Sequence, residues 1–182
     1  MHHFNFGKEP MLRESWANIW WKPQSEVKEN LGGIAIFAPF EDSFIAPGVH
    51  AELQYRCDVT GKTRIVSLNG HRHSHTERFG VWIDRAGGGT EKVYESFDWN
   101  NMPTYAYDSL STNPMLDRDA KIDGASSGVL EVGPGDVIHF ICDVNNDGTQ
   151  YLKFANEVMT GEMCILFGSR TGSPLCGQGT RE

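Results

Sequence analysis

Three histidines within five residues carry the chemistry this sequence offers: His71, His73 and His75, in Gly70-His71-Arg72-His73-Ser74-His75-Thr76-Glu77. If this stretch ends a strand, its period-2 alternation puts all three imidazoles on one face. Two imidazoles at i and i+2 can approach one metal ion. Copper, zinc, nickel and iron all accept such a pair, so the third ligand must select the metal. Two candidates exist. Glu77, four residues after His73, would complete a two-His, one-carboxylate site for iron or manganese. Met163, in Thr160-Gly161-Glu162-Met163-Cys164, would add a thioether that suits Cu(I) and serves zinc poorly. His75 and Glu77 are otherwise candidates for hydrogen-bonding a ligand imidazole from behind.

Short strands must position these groups. Ile34–Ala38, Val49–Cys57, Arg64–Leu68, Phe79–Ile83, Lys92–Phe97, Val129–Val132, Asp136–Cys142, Gln150–Asn156 and Glu162–Gly168 read as strands. In the second of these, Ala51, Leu53, Tyr55 and Cys57 share one side. Thr60-Gly61-Lys62 and Ala86-Gly87-Gly88-Gly89 read as turns. The spacing is that of an antiparallel sandwich, and no long 3.6-period helix stands out. Asp98–Ser127, polar and interrupted by Pro103 and Pro114, reads as a long excursion that could border a site. Asp143–Gly148 looks like the front of an EF-hand loop, but Phe154 occupies the position of the bidentate glutamate. A hairpin turn on Asp147-Gly148 is the better reading.

The whole chain bounds these assignments. With 182 residues, 39% hydrophobic and 22% charged, it can bury a core as one domain. The first 33 residues, with Trp16, Trp20 and Trp21, read as an aromatic segment packed on a body spanning 34–176. No apolar run approaches the ~20 residues of a membrane helix. Sixteen basic residues against 24 acidic ones give a charge of -8, which argues against nucleic acid as a partner. Cys57, Cys142, Cys164 and Cys176 form no CxxC, which excludes a zinc ribbon or thioredoxin motif. Four cysteines in a turn-rich β-chain are compatible with two disulfides and an oxidising compartment, and spacing leaves three pairings open. Met1 precedes His2-His3 and polar residues, with no signal peptide, so an exported chain would be a processed form.

Ile45-Ala46-Pro47-Gly48, Cys57, His71-Arg72-His73, Gly135-Asp136, Cys142 and Glu162-Met163-Cys164 occur in an order and spacing that resemble a known domain. It is the second domain of the copper type II, ascorbate-dependent monooxygenases, the family of peptidylglycine α-hydroxylating monooxygenase and dopamine β-hydroxylase. The resemblance runs over residues 45 to about 176. It implies an all-β, antiparallel jelly-roll-type sandwich, disulfides Cys57–Cys176 and Cys142–Cys164, and one oxygen-binding copper held by His71, His73 and Met163. It further implies hydroxylation of a C–H bond with dioxygen and an external reductant such as ascorbate.

Two departures shape that expectation. The family's enzymes carry a second copper domain, with three histidines, for which this length leaves no room; electrons would come from a diffusing reductant or a redox partner protein. His2-His3 resembles part of that other site, but no suitable third histidine follows, so a tag remnant or surface pair is expected. The arginine, asparagine and tyrosine that hold a peptide carboxylate in the amidating member correspond here to Asn69, Ile165 and Phe167. The expected substrate is therefore a small, non-peptide molecule, with Trp82, Tyr94, Trp99 and Tyr105 as candidate pocket residues. Outside catalysis, a copper-storage, delivery or electron-transfer protein and a metal-free interaction or sugar-binding sandwich remain open.

Overall fold

The computed structural model describes residues 7–12, 16–19, 21–38, 44–107, 129–158 and 160–176. His2, His3, Trp20 and most of the 98–127 excursion lie outside them. The chain divides into two compact units, Met1–Asn30 and Leu31–Glu182. In the first, the described residues form one 3-10 turn, Gln24–Glu26.

The second unit is built from β1 (Gly32–Phe37), β2 (His50–Asp58), β3 (Thr63–Arg72), β4 (Thr76–Asp84), β5 (Thr90–Ser96), β6 (Thr104–Ala106), β7 (Leu130–Val132), β8 (Val137–Asn145), β9 (Lys153–Phe154), β10 (Gly161–Glu162) and β11 (Cys164–Gly172). One sheet runs β1-β11-β3-β6, with β7 also on β3; the other runs β2-β8-β4-β5. Both are antiparallel, and β9 with β10 forms a short parallel pair. The connections β2 to β3 and β3 to β4 each cross between sheets, giving the expected antiparallel β-sandwich of jelly-roll type. Among the described residues no α-helix occurs, and so no helix long and apolar enough to cross a membrane.

Alternation explains the packing, its phase shifted once along β3 by a bulge at Val66, opposite Ser169 and Arg170. Ile34, Ile65, Leu68 and Leu166 turn inward from the first sheet to meet Phe79, Val81, Ile83, Ile138 and Phe140 of the second. Along β2 the expected side, Ala51 to Cys57, is the less exposed one, with Tyr55 stacked on Phe140 at 5.5 Å. Two disulfides staple the sandwich. Cys142 of β8 joins Cys164 of β11 across the sheets, and Cys57 of β2 joins Cys176, the pairing the resemblance implies. Such bonds fit an extracellular or periplasmic protein.

Three sequence expectations change. Gly32-Gly33, read as a break, begins β1; a Cβ on Gly32 would stand 3.0 Å from the Arg170 guanidinium. The polar excursion hides β6, paired with Ser67–Asn69. Asp147-Gly148 does turn the chain but closes no hairpin, because both edges of β8 are taken by β2 and β4. Asn146, wholly buried, instead clamps the turn, its amide donating to the carbonyls of Ile45 and Gln150 at 2.8 and 2.9 Å.

Candidate metal centre

Strand β3 ends at Arg72, and its register with β11 fixes what surrounds the histidines. Arg72 pairs with Cys164 and His71 with Ile165. Cys164 and Arg72 both turn into the sandwich, the first to its disulfide and the second to the Ser96 carbonyl. Alternation therefore sends His71 and Ile165 to the outer face. One step further, Met163 falls opposite His73. The two rings of His71 and His73 lie 5.4 Å apart at 85°, and the Phe167 ring stands 6.0 Å from His71.

Past Arg72 the strand stops. Ser74 and His75 form a tight turn, closed by the Thr76 amide on the His73 carbonyl, so alternation does not reach His75. His75 instead faces the 147 turn, its Nδ1 3.4 Å from Asp147 Oδ1. Glu77 is exposed and accepts a hydrogen bond from the Asn145 amide at 2.9 Å. Among the described residues no three His, Cys, Asp or Glu side chains gather into a metal-binding set, so a His71–His73–Glu77 site is not formed.

His73 is held from behind by residues to which spacing assigned no role. The His73 ring is buried, and its Nδ1 donates to the Gly161 carbonyl at 3.1 Å. A carbonyl only accepts, so Nδ1 carries a proton, and in the neutral tautomer this leaves the lone pair on Nε2, the arrangement found behind metal-bound imidazoles. Gly161 is itself packed tightly against the 155–157 loop, where a Cβ would lie 2.5 Å from Ala155 Cβ. The same loop is tied to the turn by the Ser74 hydroxyl, donating to the Val158 carbonyl at 2.9 Å.

Beneath His73 lies Glu162, wholly inaccessible to solvent. One carboxylate oxygen accepts both the His73 amide, at 2.5 Å, and the Met163 amide, at 2.8 Å. Burial pushes this carboxyl above the ordinary glutamate value, against the downward pull of those two amides. Burial likewise lowers the neighbouring Arg72 guanidinium, while Tyr94 and Glu162 oppose it. An acidic residue opening the otherwise apolar run Glu162 to Phe167 was the available signal for Glu162.

The positions matched to a peptide-carboxylate grip do other work. Asn69 donates its amide to the Met102 and Pro103 carbonyls and the Thr104 hydroxyl, Ile165 is buried, and Phe167 borders His71. The four aromatic candidates do not line one pocket. Tyr94 and Tyr105 pack together in the core at 4.7 Å, with burial pushing the Tyr94 phenol up to about 12. Trp82 stacks on His139 on the outer face of the second sheet. Gly135-Asp136 is a structural turn: the Asp136 carboxylate accepts from the Ala86 and Gly133 amides and from Arg85.

No family model matches the chain, and no curated protein matches it.

Proposed function

We propose that this chain is a secreted or periplasmic copper-binding, monooxygenase-like protein whose His71, His73 and Met163 hold one copper ion. The observation that carries this reading is the buried His73 ring, proton fixed on Nδ1 by Gly161, in contact with His71 and one register step across from Met163. Two imidazoles and a thioether make a soft donor set that fits monovalent copper. When bound there, copper supplies one-electron chemistry toward dioxygen, drawing on an external reductant such as ascorbate or on a redox partner protein.

The chain's own residues define the rest of the reading. Gly161 fixes which His73 nitrogen can bind metal. Phe167 walls the His71 side with an aromatic ring, and the Asn69 amide is already engaged with the 102–104 backbone. Residues of this kind favour a small, non-peptide substrate hydroxylated at a C–H bond. The near-complete burial of His73 and Met163, 3% and 7% exposed, favours a second reading, a copper-storage, delivery or electron-transfer protein.

X-ray absorption on the protein loaded with one equivalent of Cu(I) tests the centre. One sulfur scatterer beside two nitrogens is expected, with the sulfur lost in Met163→Ala. An unchanged spectrum in Met163→Ala would remove the thioether and with it the assignment. Ascorbate-dependent oxygen consumption by the loaded protein separates catalysis from storage.

A further inference from the structure

A single carboxylate oxygen receiving two main-chain amides is a construction with a geometric consequence. The two amides belong to His73 and Met163, which lie just past the ends of two different strands and 90 residues apart in sequence. Neither strand ladder joins them: β3 has ended at Arg72, and β11 begins only at Cys164. At this gap the regular sheet no longer sets the distance between the two backbones. Glu162 does, by binding both at 2.5 and 2.8 Å from one atom.

We propose that Glu162 is the positioning residue of the metal centre: its carboxylate bridges the His73 and Met163 amides and so sets the separation of imidazole from thioether. The proposal rests on the copper reading above. Glu162 touches no metal in this role and acts through the main chain. Its burial makes the bridge stiff, because water cannot compete for the two donors. The Gly161 carbonyl works in concert, since the residue that orients the His73 ring is joined directly to the one that holds its backbone. The cross-link at Cys164 anchors the far side of Met163 to the opposite sheet. An acceptor of the same reach without the charge, as in Glu162→Gln, keeps the bridge; removing the side chain abolishes it.

The test has a metal-free part and a copper part, both on the full chain. In the folded wild type, scalar couplings across the hydrogen bonds are expected from the His73 and Met163 amide nitrogens to the Glu162 carboxyl carbon. Their absence from both amides would overturn the bridge without any mutation. Glu162→Ala is then expected to weaken Cu(I) binding by about tenfold or more, the usual size of an effect exerted from behind a ligand, and to lengthen or lose the copper–sulfur scatter. Glu162→Gln should bind within about threefold of wild type. A folded Glu162→Ala protein with wild-type affinity and sulfur signal would overturn the positioning role. A wild-type protein that shows both couplings yet takes up no Cu(I) would instead bring down the metal centre, and the positioning role with it.

Discussion

His73 and His139 each have a partner for Nδ1, yet they sit in opposite kinds of surroundings. His73 is buried at the corner where β3 ends, and a backbone carbonyl holds its ring. His139 lies on the outer face of the second sheet, stacked on Trp82 at 5.4 Å, with Asp84 at 3.3 Å and Arg56 at 3.4 Å. At the corner, polar groups are fixed by main chain and by a carboxylate without solvent, so any loss leaves a buried donor stranded. On the outer face, side chains satisfy one another and water can replace each of them. A site that must hold a geometry needs the first arrangement. The second keeps an exposed sheet face charged.

The strongest way to break this contrast is to loosen the corner from the other sheet. Replacing both Cys142 and Cys164 by alanine removes the bond between β8 and β11 beside Met163. For a closed loop of this order, about 3 kcal/mol of stability is expected to go. The melting temperature should fall by roughly 6–12 °C for a chain of this size. Calorimetry on the double variant checks it. A fall under roughly 2 °C would mean that the corner is held without the cross-link and that its rigidity comes from the carboxylate bridge alone.

How much of this was legible in the sequence depends on which force decides each element. The β2 alternation, Ala51 to Cys57, could be read directly, because one face is core and the other is not. The three residues of β6 could not. Thr104, Tyr105 and Ala106 carry no pattern, and their pairing with Ser67–Asn69 is decided by the arriving strand. Spacing left three disulfide pairings open, and only the resemblance narrowed them to the pair now seen. Among the site residues, the adjacency of His71 and His73 follows from strand geometry. The fate of His75 does not, since a tight turn begins where alternation would have had to continue. Glu162 stands in the Glu-Met-Cys motif without a role that spacing can assign, because a buried carboxylate is recognised by the amides that converge on it, and one of these comes from distant sequence.

Asp136 sharpens the comparison as an intermediate case. Like Glu162 it gathers two backbone amides, those of Ala86 at 2.9 Å and Gly133 at 3.1 Å, but it adds the Arg85 guanidinium at 3.1 Å. Burial pushes its carboxyl up, yet the two amides and Arg85 outweigh it and leave the proton held less tightly than usual. Its native value is thus below that of the unfolded chain. The stability it contributes is full above the unfolded value near 3.8 and is lost as pH falls through the native one. Asp136→Asn should cost roughly 1–2 kcal/mol at neutral pH, with the difference from wild type shrinking in acid. Denaturant titrations at several pH values measure it. A difference that instead grew toward low pH would reverse the assigned sign.

The smallest effect belongs to the outer face. Arg56 donates to Asp84 at 2.7 Å, and Asp84 also receives the Thr90 hydroxyl at 2.6 Å. That hydroxyl leads in drawing the Asp84 carboxyl below its ordinary value; burial opposes it next, and Arg56 and His139 add to the downward pull. The Arg56 side chain is 53% exposed, so water and salt screen most of the attraction. Arg56→Ala is therefore expected to change stability by less than about 0.5 kcal/mol, and the change should fade further in roughly 1 M salt, where screening acts within about 3 Å. Equilibrium denaturation at low and high salt reads both. A loss as large as that of the disulfide variant would show that the Trp82–His139 face is a built structure in its own right, and the division between a rigid corner and a replaceable surface would no longer hold.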